Sequence, residues 1–67
     1  MSVAKVSEIS ATSPKSFEDA IQQGLNRASK TLRNLRSAWI KEQTVRCEGG
    51  RITEYQVNMM VTFVLDD

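Results

Sequence analysis

Tyr55, Val57, Met59, Val61, Phe63 and Leu65 occupy alternate positions and are all apolar. A period of two puts them on one face of a strand, and a strand with one buried face is the expected element. The run before it, 36–47, also reads as a strand, and Gly49 and Gly50 lie between the two. Both glycines can take positive φ without steric cost, which predicts a two-residue hairpin loop. With that loop, Ala38 faces Val61, Ile40 faces Met59 and Glu42 faces Val57 on the apolar side. On the other side Ser37 meets Thr62, Trp39 meets Met60, Lys41 meets Asn58 and Gln43 meets Gln56. Val45 then meets Glu54, and Cys47 meets Ile52. A bulge would shift this register.

Upstream the period changes. Phe17, Ala20, Ile21, Leu25, Ala28, Leu32 and Leu35 recur at spacings of three and four, which is one stripe of a helix. The start falls between residues 13 and 17, with Ser13 before Pro14 as one candidate cap and Ser16 before Asp19 as the other. Glu18 and Asp19 in the first turn and Lys30 and Arg33 near the end suit the helix dipole. Asn34 is the expected stop. Gly24 inside the helix costs about 1 kcal/mol against alanine, and a close approach by a neighbouring element would account for it. Ahead of the helix, 2–10 reads as a strand through Val3, Ala4, Val6 and Ile9, closed by a turn at 11–14. The expected fold is α+β, in the order β-α-β-β. A three-stranded antiparallel sheet carries one helix on one face, as a single domain over 1–67.

That architecture leaves a sheet face bare. Trp39, Met60, Ile52, Val45 and Val64 are expected there among polar residues, and an exposed apolar patch marks an interface or a ligand site. Size sharpens the point. A chain of 67 residues buries only about 60% of its unfolded surface. One cysteine and no histidine leave neither an internal disulfide nor a zinc site as support. Self-association is the remaining one. A net charge of +1 does not suit a nucleic-acid binder. No apolar run approaches a membrane span or a signal-peptide core, so a cytoplasmic location is expected. Without histidine or an activated serine or cysteine constellation, no enzymatic activity is expected.

The chain resembles the dodecin family of small flavin-binding proteins. The segments that carry the resemblance are Ala11 to Pro14 entering a helix, Glu18 to Ile21, Arg27-Ala28, Lys30 to Leu35, and Tyr55-Gln56-Val57 followed by Val61, Phe63 and Leu65. The resemblance implies a sheet partly wrapped around one helix, assembled as a hollow homododecamer. It also implies flavin (riboflavin, FMN or a lumichrome-like ring) stacked on tryptophan between subunits, with a glutamine on the polar edge of the ring. Such a site would store or photoprotect the ligand. The glutamine matches Gln56. The family's tryptophan position falls on Ser37, and Trp39 lies two residues on, displaced along the same face by about 7 Å. The family's further polar position falls on Thr44. The candidate site residues are therefore Gln56, Trp39, Ser37, Gln43 and Thr44. A tryptophan-lacking subgroup connected with calcium is the alternative, as a cation-binding or structural shell protein.

Each of these residues also has a plainer role. Trp39 serves equally as an aromatic anchor between subunits, and Gln56 as a cross-strand partner of Gln43. Arg27, Lys30, Arg33 and Arg36 would attract phosphates, or simply form a solvated face that complements the helix dipole. Cys47 reads as a free thiol. Calcium or magnesium would need oxygen ligands gathered across subunits from Glu8, Glu48, Glu54, Asp66 and Asp67.

Overall fold

The structure is a computed structural model that describes residues 3–65. Its elements are β1 (Ala4–Ser13), α1 (Phe17–Thr31), β2 (Leu35–Glu48) and β3 (Arg51–Val64). Both β1 and β2 pair antiparallel with β3, so the strand order is β1-β3-β2. The helix crosses from β1 to a position one strand away, and the hairpin then returns β3 into the gap. The β-α-β-β order and the antiparallel sheet agree with the sequence pattern. Ser2, Asp66 and Asp67 lie outside the described residues.

The core is the apolar row of β3. Val57, Met59 and Val61 are fully buried, joined by Ala20 of α1. Ile9 and Ala11 of β1, Leu25 of α1 and Ile40 of β2 pack around them. Tyr55 and Phe63 are half-buried at the ends of the row, and Leu65 lies past β3 and is exposed. Phe17, the first helical residue, meets Tyr55 edge-on with ring centroids 5.1 Å apart. Gly24 faces the centre of the row: a Cβ there would run into Met59 Cε and stand 3.1 Å from Ala11 Cβ. The missing side chain at Gly24 is what lets the helix sit this low on the sheet with Met59 and Ala11 where they are.

Ser16 is the N-cap, and its hydroxyl accepts from the Asp19 amide at 3.0 Å. Pro14 is not the first helical residue. Positions 11–13, expected as a turn, extend β1 instead, because Ala11, Thr12 and Ser13 pair with Val57, Gln56 and Tyr55. Ser13 is buried, and its Oγ donates to Asp19 Oδ2 while accepting from the Lys15 amide at 3.0 Å. Hydrogen bonds from Ser13 and Gln23, with Lys15 nearby, hold the Asp19 carboxyl below its ordinary pKa against a small opposing desolvation. The helix ends at Thr31, three residues before Asn34. Asn34 takes φ 60°, and its amide Nδ2 donates to the Val64 carbonyl at 3.2 Å. Leu35, expected on the helix stripe, is thereby the first residue of β2.

The chain is long and thin. Its extents are 52 × 19 × 13 Å and its radius of gyration is 13.8 Å, where a compact domain of this length has about 11 Å. Its accessible surface is 4994 Å², against about 4,200 Å² for a compact monomer of its mass. Every residue over 41–53 is exposed. The distal hairpin therefore extends past the helix with neither face covered by the described residues.

The seat of the helix can be tested at two residues. Gly24→Val should lower the unfolding free energy by about 2 kcal/mol through overpacking against Met59 and Ala11, read as a lower urea midpoint; an unchanged midpoint would contradict the close approach. Asp19→Asn should destabilise at neutral pH. The lowered pKa makes the ionised carboxylate a stabilising group above its unfolded pKa of about 3.9, and that stabilisation is lost as pH falls through the folded value. The difference between variant and wild type should therefore shrink in acid, measured by urea unfolding at neutral and acidic pH.

Candidate ligand-binding face

The sheet face away from α1 is built from even positions of β1 and β3, because those residues pair directly and alternate with the buried row. Glu8, Ser10 and Thr12 stand opposite Met60, Asn58 and Gln56. From the other side β2 brings Ser37 opposite Thr62 and Trp39 opposite Met60. Trp39 is 53% exposed. Polar side chains are laced across β3 beside it. Asn58 Nδ2 donates to Glu42 Oε1 at 2.9 Å, and Gln56 Nε2 donates to Ser10 Oγ at 3.1 Å. Lys41 Nζ lies 3.5 Å from Glu8 Oε2. Both ends of that ion pair are about half exposed, so it contributes under about 1 kcal/mol and serves mainly to order the surface.

Bulges change the membership of this face. The β2–β3 register slips between Leu35 and Ser37, between Ile40 and Glu42, and between Arg46 and Cys47. The second slip leaves Lys41 as an extra residue on β2 and reverses the phase of the residues beyond it. Glu42 therefore stands opposite Asn58, in the place expected for Lys41, and not opposite Val57. Gln43 stands opposite Val57, on the helix side of the sheet, and not beside Gln56. Thr44 takes that place instead. Val45 pairs with Tyr55, not Glu54, and leaves the side of Trp39 with Gln43. The third slip restores the expected pair of Cys47 with Ile52. By alternation along β2, Cys47 shares the side of Val45, so Ile52 also belongs there. Trp39, Ser37, Thr44 and Gln56 thus share one face, and Gln43 does not.

Glu8, Ser10 and Glu42 belong to the face although the sequence pattern did not single them out. The alternation of Glu8, Ser10 and Thr12 with Ile9 and Ala11 is a signal of sidedness, but β1's partner and register are tertiary facts. Within one chain the aromatic and the amide are well separated. Their positions on β3, Met60 and Gln56, are four residues apart, or about 13 Å. The Ser37 position is displaced further, by about 20 Å from Gln56. Among the described residues no group of three or more His, Cys, Asp or Glu side chains could hold a metal ion. No helix among these residues is long and apolar enough to cross a membrane.

The Dodecin family model matches residues 3–66. The calcium dodecin of Mycobacterium tuberculosis is 38% identical over 64 residues, covering 94% of this chain and 89% of that protein. An arginine-to-alanine variant of the T. thermophilus dodecin superposes with a TM-score of 0.94 at 39% identity, covering 100% of both chains. The crystal structure of the calcium-chelating calcium dodecin from Mycobacterium tuberculosis superposes with a TM-score of 0.82 at 32% identity, over 96% of this chain and 91% of that one.

The bulge has a direct chemical test. In a Cys47→Ser background, Thr44→Cys with Gln56→Cys should form an intrachain disulfide, since directly paired residues fall within the Cα range that a disulfide spans, about 4.4–6.8 Å. Gln43→Cys with Gln56→Cys should not. Thiol counting after mild oxidation reads the outcome, and the reverse result would restore the unbulged register.

Proposed function

The chain belongs to the dodecin family, and on that premise we propose that it is a non-catalytic binding protein, a single domain assembled as a homododecamer, that holds flavin or a similar flat aromatic ligand between subunits. One observation carries this reading. An exposed tryptophan and a glutamine share a sheet face that no described element covers. A flat π-system gains dispersion and quadrupole attraction over Trp39, and its imide-like edge suits the amide of Gln56. Thr44, opposite Gln56, would border the polar end. Ser37 leaves room beside Trp39. Gln43, on the other side of the sheet, has no contact role here.

The separation of about 13 Å between the two positions supports a site made from two copies. Two such faces packed about a twofold axis run in opposite directions, so Trp39 of one copy approaches Gln56 of the other. Twofold packing of one patch on itself is the commonest symmetric contact. The same closure would cover the bare face and remove part of the surface excess. The expected place of work is the cytoplasm.

A second reading rests on the calcium dodecin relative, at 38% identity, and on Ser37 at the family's tryptophan position. Calcium prefers six to eight oxygen ligands. Glu8 and Glu42 are engaged with Lys41 and Asn58, so a cation site would draw carboxylates from several copies.

One titration separates the readings. Riboflavin, lumichrome and FMN added to the apoprotein should lose fluorescence, and Gln56→Ala should weaken binding by about 3- to 10-fold, the worth of one neutral hydrogen bond. Absence of quenching with all three ligands, together with calcium heat in calorimetry, would replace the flavin reading with the cation one.

A further inference from the structure

The Gln56 side chain has a partner that the strand ladder does not assign it. In register Gln56 stands between Thr12 of β1 and Thr44 of β2. Its Nε2 nevertheless donates to Ser10 Oγ at 3.1 Å, and Ser10 is the ladder partner of Asn58. The bond therefore runs diagonally across the sheet, a separation that a long side chain spans. Asn58 does not compete for Ser10, because its Nδ2 donates the other way, to Glu42 Oε1 at 2.9 Å. Ser10 lies two residues, about 7 Å, nearer the Trp39 end of the face. The bond thus draws the Gln56 amide away from Thr44, toward β1 and toward the indole.

A primary amide has two N–H donors and one carbonyl acceptor. Ser10 takes one of the donors. Among the described residues nothing donates to Gln56 Oε1, so the carbonyl and the second N–H remain for a ligand. That pair is complementary to an adjacent N–H and C=O, the edge of an imide or lactam ring. We propose that Ser10 is a positioning residue of this site: its hydroxyl clamps Gln56 with Oε1 presented to the ligand, and so selects flat rings whose edge carries an N–H donor. Ser10 acts through Gln56 without touching the ring. A free glutamine has to give up its rotamers when the ring binds, whereas one already held has little left to lose. This role rests on the flavin reading above.

Riboflavin carries an imide N–H at N3, and 3-methylriboflavin carries a methyl there. Both are titrated by fluorescence quenching into the wild type, Ser10→Ala and Ser10→Thr, each first shown by circular dichroism to be folded. Ser10→Ala should weaken riboflavin about 2- to 10-fold, the ordering cost of one long side chain. It should leave 3-methylriboflavin unchanged, since that ring has no N–H to give to the clamped carbonyl. Ser10→Thr keeps the hydroxyl and should bind riboflavin as the wild type does. Equal weakening of both rings would make Ser10 merely structural, and unchanged riboflavin binding in Ser10→Ala would leave the clamp without effect. Either result overturns the proposal while the flavin reading stands. A wild type that quenches neither ring overturns that reading, and the proposal with it.

Discussion

Met59 lies fully buried with its terminal methyl over the backbone of Gly24, and the rest of the molecule is arranged around that approach. The absence of a side chain at residue 24 lets the helix approach Met59 and Ala11 closely. The helical cost of a glycine, about 1 kcal/mol, is offset by sealing the row of Val57, Met59 and Val61. Ser13, Ser16 and Asp19 fix the entry of the helix, and the edge-on pair of Phe17 with Tyr55 anchors its first turn. With α1 held there, β1 and β3 are covered on one side only, and the hairpin runs beyond its reach.

A core this small sets the character of the protein. The fully buried side chains are few, and the radius of gyration of 13.8 Å is well above the roughly 11 Å of a compact domain. The chain therefore does not close its own surface. One sheet face carries Trp39 among laced polar groups, and the distal hairpin carries Val45 and Ile52. The two surfaces differ in chemistry. The first sets an aromatic ring among polar groups. The second is apolar at Val45 and Ile52.

Much of this is legible in the sequence for physical reasons. The period of two in β3 survives because its odd face is the core, so Val57, Met59 and Val61 have to be apolar. The period near 3.6 in α1 survives for the same reason, and Gly24 in its midst signals a close neighbour. Gly49 and Gly50 take φ 59° and 79°, as a tight hairpin loop requires. The features that stay hidden depend on the ladder. Nothing in the composition of β2 marks Lys41 as an extra residue, since an exposed strand places no apolar constraint on either face. One slip therefore exchanges Gln43 for Thr44 beside Gln56 and moves Val45 to the helix side. The end of β1 is hidden for a related reason. Thr12 and Ser13 look like turn residues, but Ser13 is buried in order to hold Asp19.

The exchange of faces matters beyond the register. In an unbulged hairpin Val45 would lie on the side of Trp39, and the apolar positions of the distal hairpin would share the face of the indole. The slip at Lys41 separates them. It leaves Trp39, Glu42, Thr44 and Gln56 on one side and turns Val45, Cys47 and Ile52 to the other. A single extra residue in one strand thus gives so short a chain two exposed surfaces of different chemistry.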